Sequence, residues 1–150
     1  MSQVAFEIAI LFLLLIANGV FAMAEIAVVS SKKARLRRLA DQGNGNARIA
    51  LELAETPNRF LSTVQIGITL AGIFAGAFGG ATLATELAGP IGQIAFLAPY
   101  ADKLAFGIVV AVITYFSLVI GELVPKRFGL SNPEGIAMRV ARPMNWLAKF

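Results

Sequence analysis

Neither cysteine nor histidine occurs in the 150 residues. The absence of Cys excludes disulfides, thiolate metal ligands and thiol nucleophiles. The absence of His removes the commonest general base and metal ligand, and with it the usual switch at physiological pH. Charge is also scarce: only 15% of residues are Asp, Glu, Lys or Arg. No acid–base or nucleophile–base arrangement is visible, so an enzyme is not expected. A bound metal would have to be held by oxygen, which favours hard cations such as Mg²⁺ or Ca²⁺ over zinc, copper or iron.

Apolar residues fill the space instead, at 57% of the chain with a mean hydropathy of +0.74. That is too much for an ordinary soluble domain of this size, and it predicts an all-α integral membrane protein. The net charge of +4 does not point to nucleic acid, because nearly all of it lies in two blocks flanking apolar runs.

Three spans are expected, over residues 8–29, 60–80 and 104–124. Ala22-Met23-Ala24 resembles a signal-peptidase site, but no basic residue precedes the first apolar run. Lys32, Lys33, Arg35, Arg37 and Arg38 follow it closely. That polarity is the reverse of a signal peptide and predicts an N-terminus outside and a cytoplasmic C-terminus, in the cell inner (plasma) membrane.

Between the first two spans, Leu36, Leu39 and Ala40, then Ile49, Ala50 and Leu53, mark two short amphipathic helices broken at Gly43-Asn44-Gly45. Gly89-Pro90 and Ala98-Pro99 mark turns before the third span, and Ile91 to Leu97 is too short to cross. Asn132-Pro133-Glu134 has the form of a helix start. It opens an amphipathic juxtamembrane helix over residues 133–150, which Pro143 should kink or break.

Polar residues recur inside the spans. Asn18, Ala22 and Glu25 share one helical face, as do Gln65, Thr69 and Gly72. Such stripes face a bundle interior or cavity, or serve as interhelical hydrogen-bonding glue. Gly72, Gly76 and Gly80 form a doubled GxxxG stripe for close helix packing. One three-helix unit has little interior for these stripes, which predicts a homodimer.

The end of the third span carries the densest chemistry, Ile120-Gly121-Glu122-Leu123-Val124-Pro125-Lys126-Arg127. Pro125 lacks an N–H and frees the carbonyl of Gly121, four residues earlier. A carboxylate beside unpaired carbonyls near a helix C-terminus is the chemistry of a cation site. The plainer alternative is that Glu122 pairs with Lys126 or Arg127.

Asn18-Gly19-Val20-Phe21-Ala22-Met23-Ala24-Glu25, Ser62-Thr63-Val64-Gln65-Ile66-Gly67-Ile68-Thr69 and Gly121-Glu122-Leu123-Val124-Pro125-Lys126 together resemble the transmembrane domain of the CNNM/CorC family. The likeness is strongest to its haemolysin-like bacterial branch and covers almost the whole chain. It implies a dimer of three-helix units with a belt helix, followed in longer relatives by cytosolic CBS and CorC/HlyC domains that this chain lacks. The implied activity is Mg²⁺ export coupled to Na⁺ entry, with Glu122 as the acidic ligand. Asn18, Gln65, Thr69 and the Gly121 carbonyl are candidate oxygens, and Pro125 is the helix break and gate. Where magnesium-transporting relatives have asparagines, this chain has Ile68 and Gly72. An alternative is export of a polyamine or other organic cation by Glu122 and Tyr115. Another is a membrane anchor and dimerisation module for cytosolic domains.

Overall fold

A computed structural model describes residues 2–150. Eight α-helices occur among them: α1 Ser2–Ser30, α2 Lys33–Asp41, α3 Gly45–Glu55, α4 Pro57–Phe78, α5 Ala84–Gly92, α6 Ala101–Leu118, α7 Val124–Ser131 and α8 Pro133–Ala148. Two five-residue π-helical turns join α4 to α5 (Gly79–Leu83) and α6 to α7 (Val119–Leu123).

Three rods therefore result, each long and apolar enough to cross a membrane: Gln3–Ser30, Pro57–Gly92 and Ala98–Ser131. The second and third outrun the expected spans, which end at Gly80 and Val124. At 1.5 Å per residue the 36-residue rod is about 54 Å long. The hydrocarbon core is about 30 Å, so the rod must tilt or project from it.

The expected turn at Gly89-Pro90 does not occur. Pro90 sits inside α5, and the carbonyl it leaves free belongs to exposed Glu86, where the loss is tolerable. The chain turns after Gly92 and re-enters helix through a 3₁₀ turn at Ala98–Tyr100, so the Ala98-Pro99 turn stands. Pro143 likewise does not break α8, which runs on to Ala148 with the proline on its exposed face.

The hairpin forms as its residues dictate. Gly43 adopts φ +93°, the left-handed conformation that favours glycine. Asn44 then caps α3, its side chain accepting a 3.0 Å bond from the Ala47 N–H. Leu36, Ala40, Ala50 and Leu53 turn inward.

The main core lies at this hairpin end. Ala24, Ala27 and Val28 of α1 meet Leu36, Leu53, Phe60 and Val64, and α8 closes the cluster with Ala137, Ala141 and Met144. Small residues along α1 allow its neighbours to approach closely. Elsewhere the rods present Phe6, Phe12, Ile73, Phe106 and many other apolar side chains outward, as a lipid-facing surface does.

Candidate cation site

Pro125 has no N–H to give, and the Gly121 carbonyl it abandons is taken by a side chain from another rod. Asn18 Nδ2 donates to it at 3.0 Å. The helix does not end there. It widens into the Val119–Leu123 π-turn, in which the Val124 N–H reaches back to the Val119 carbonyl, and then continues as α7. The carbonyl five residues before Pro125, that of Ile120, also turns toward α1. A Cβ placed on Gly19 would lie 2.9 Å from Ile120 O and 2.8 Å from Pro125 Cγ. A Cβ on Gly121 would come within 2.9 Å of Asn18 Nδ2. Two glycines thus let two backbones meet, and Asn18 fills the gap between them.

Asn18 has a second polar atom in this joint. Its Oδ1 is buried and has no hydrogen-bond donor. Buried polar atoms are normally paired, so an unpaired amide oxygen is a ready acceptor for a cation or an N–H. Next to Gly121 stands Glu122, whose carboxylate is half-exposed and bonded at 2.9 Å to Lys126 Nζ. The plainer of the two expectations for Glu122 is therefore realised.

Gln65 and Thr69 do not join this group within one chain. Both are exposed and share a shallow groove of about 390 Å³ with Ser62, Ile66 and Leu70, all on one face of α4. A Cβ placed on Gly72 or Gly76 would meet nothing within 4 Å, and one on Gly80 would meet only Phe106 Cε2 at 3.4 Å. The stripe borders an open groove of about 220 Å³, opposite Val110, Ile113, Thr114 and Ser117 of α6. Tyr115 is exposed and packs edge-on to Phe116, ring centroids 5.6 Å apart. Glu122 lies within the Val119–Leu123 π-turn, and its carboxylate is bonded to Lys126. Among the described residues no three acidic side chains cluster as a metal cage would require.

Residues 8–150 match the family described as the Cyclin M transmembrane N-terminal domain. The chain belongs to the CNNM family. It is 53% identical over 99% of its length to the UPF0053 protein sll0260 of Synechocystis, covering 33% of that protein. It is 31% identical over 93% of its length to the polyamine export protein of Escherichia coli strain K12, covering 31% of it. To the UPF0053 protein YugS of Bacillus subtilis it is 26% identical over 93% of its length, covering 32% of that protein. The chain thus spans about a third of the length of these curated relatives.

In this CNNM domain the three sequence motifs meet at the first one. Asn18 and Gly19 dock on the Gly121–Pro125 turn. Phe21, two residues on, covers Gly67 of α4, whose added Cβ would lie 2.9 Å from the ring. Motifs that read as separate polar stripes are in large part a packing joint.

One further polar anchor escaped sequence reasoning. Glu134 is buried at 4% exposure, and its Oε1 accepts a 3.0 Å bond from the Lys32 N–H while Oε2 lies 3.7 Å from Arg35 Nη1. Burial alone would raise its pKa. The Lys32 and Glu134 backbone N–H groups, with the charges of Arg35 and Lys32, outweigh that and hold the carboxyl below its ordinary value. In the sequence it is only the acidic residue of the Asn132-Pro133-Glu134 helix start, and nothing local signals a contact 102 residues away. The cap itself is as expected, with Asn132 Oδ1 accepting from the Gly135 N–H at 3.2 Å.

Proposed function

We propose that this chain is the membrane part of a cation exporter whose cargo is a polyamine. The arrangement around Gly121 carries this reading. A buried amide oxygen without a donor lies on one side, and on the other a carboxylate already holds a primary ammonium. A polyamine presents that same ammonium chemistry, so a cargo amine can replace Lys126 on Glu122 while N–H groups reach Asn18 Oδ1. The naming of relatives at 30% and 31% identity as polyamine export proteins supports the same cargo.

A second reading keeps the site and changes the ion. The donor set is oxygen only, which suits Mg²⁺, with Na⁺ as the coupling ion. The family description names no cargo and so favours neither reading. In both readings the hairpin and C-terminus are cytoplasmic, the N-terminus is outside, and the membrane is the plasma membrane. A second copy would bring Gln65, Thr69 and the Gly72–Gly76–Gly80 stripe into an interior. Cytosolic CBS domains belong to the longer protein, and the activity is not enzymatic.

The test is flux from proteoliposomes loaded with putrescine or with Mg²⁺, wild type beside Glu122→Gln. An exposed i, i+4 ion pair contributes only about 0.3–0.5 kcal/mol, so the variant should fold. Transport should fall about tenfold or more, since hydrogen bonds to charged groups are worth roughly 1.5–3 kcal/mol. Putrescine flux lost in the variant supports the proposal, and Mg²⁺ flux alone establishes the second reading. A folded wild type that moves neither leaves a membrane anchor and dimerisation module.

A further inference from the structure

α8 has two unlike faces. Ala137, Ala141, Met144 and Ala148 are buried, the first three in the hairpin-end core. On the opposite side Arg139, Arg142 and Trp146 follow at i, i+3 and i+7, and Lys149 and Phe150 continue the stripe. All five are exposed. Trp146 and Phe150 stand 62% and 91% exposed, rings edge-to-face with centroids 4.9 Å apart. No carboxylate lies within 4 Å of Arg139 or Arg142 among the described residues. The helix's one acidic residue, Glu134, is turned inward.

We infer that this outward face of α8 is a binding surface for the headgroups of anionic phospholipids. Guanidinium groups match phosphate oxygens in a bidentate way, and one helical turn separates the two. Trp and Phe are suited to the boundary between headgroups and acyl chains, where an apolar ring can sink while polar neighbours stay wet. The position of the helix selects a lipid over a free anion or a protein. A single residue, Asn132, separates α8 from the end of the third apolar rod at Ser131, so α8 starts where the membrane-crossing rod ends. The face is positive and aromatic without a compensating acid, which complements a surface that is negative outside and apolar beneath.

Trp146 is the single tryptophan of the chain and reports on its own surroundings. In nanodiscs of mixed phosphatidylglycerol and phosphatidylcholine, bromine is placed on the chains of one lipid or the other. Brominated phosphatidylglycerol should quench Trp146 at least about twofold more strongly than brominated phosphatidylcholine at equal mole fraction. The Arg139→Gln/Arg142→Gln double variant should quench equally with both, while Lys103→Gln, an exposed charge at the far end of the third rod, should keep the preference. Inorganic phosphate should leave it unchanged. Equal quenching in the wild type overturns the inference. So does a preference that survives in the double variant, that vanishes equally in Lys103→Gln, or that free phosphate abolishes.

Discussion

Two π-turns of equal length sit in the same molecule and differ in what surrounds them. At Gly79–Leu83 the widened turn faces an apolar side chain, because a Cβ on Gly79 would collide with Ile113 Cδ1. No proline lies within the turn or just after it. At Val119–Leu123 a proline follows one residue later, a freed carbonyl is taken by Asn18, and Glu122 and Lys126 stand alongside. The same backbone irregularity thus serves close packing in one place and gathers polar atoms in the other. A π-turn alone is therefore not a functional site. What separates the two is the combination of Pro125 with an amide on the facing helix.

The largest effect that would sharpen this contrast concerns the facing glycines. Gly19→Ala puts a Cβ against the Ile120 carbonyl and the Pro125 ring, and the carbonyl, being backbone, cannot swing aside. Overpacking of this kind costs about 1–3 kcal/mol. Gly79→Ala meets the far end of a flexible Ile113 side chain, which can change rotamer, so its cost should fall at or below the lower limit of that range. Gly72→Ala and Gly76→Ala meet nothing within 4 Å of the single chain and should leave its stability nearly unchanged. Thermal melts in detergent rank the four. Equal losses at Gly19 and Gly79 would erase the distinction between a backbone joint and a side-chain one.

Acid should separate the two ends of the molecule next. The Glu134 carboxyl titrates below its ordinary value, so its stabilisation is complete above the unfolded pKa of about 4.3 and is lost as pH falls through the folded value. Lowering the pH from 6 toward 3 should loosen the hairpin end, where Glu134 ties α8 to the Lys32 N–H, before it loosens α5 and α6. Glu134→Gln removes a charge-assisted bond worth roughly 1.5–3 kcal/mol at neutral pH and should flatten the response. Hydrogen exchange of α2 and α8 against α5, read across that pH range, checks it. A hairpin whose exchange is as pH-sensitive in the variant as in the wild type would show that another group carries the acid response.

How much of this was legible beforehand follows from the range of the interactions. The spans, the Gly43–Gly45 break, the Asn132 cap and the freed Gly121 carbonyl all depend on residues within a turn of one another, and local chemistry predicts them. The partner of that carbonyl could not be read, because Asn18 is 103 residues away. The same distance hid Glu134. Ring geometry suggested that Pro90 and Pro143 would stop helices, but each lies on an exposed face where the orphaned carbonyl costs little. The Gly79–Leu83 turn was not read either, and the residue that packs on Gly79, Ile113, comes from α6, far along the chain. Of the candidate ligands, Asn18 and Gly121 meet at one joint and Glu122, next in sequence, pairs with Lys126, while Gln65 and Thr69 open on another face of the single chain.

A small change in stability, and the result most informative about cause, should come from Pro125→Ala. Alanine restores an N–H that the Gly121 carbonyl can accept four residues back, so the ladder can close as ordinary α-helix and release Asn18 Nδ2. The better helix propensity of Ala offsets the lost contact between the Pro125 ring and Gly19, leaving a melting temperature within a few degrees of wild type. The side-chain amide of Asn18 should lose its slow exchange, and cation flux should fall even though the protein is intact. The Gly79–Leu83 turn should not change. If Asn18 instead stays bonded and the wide turn persists, then Pro125 is not its cause. Both π-turns would then arise from the way long helices are forced together, and the polar joint would be an accident of packing that Asn18 happens to fill.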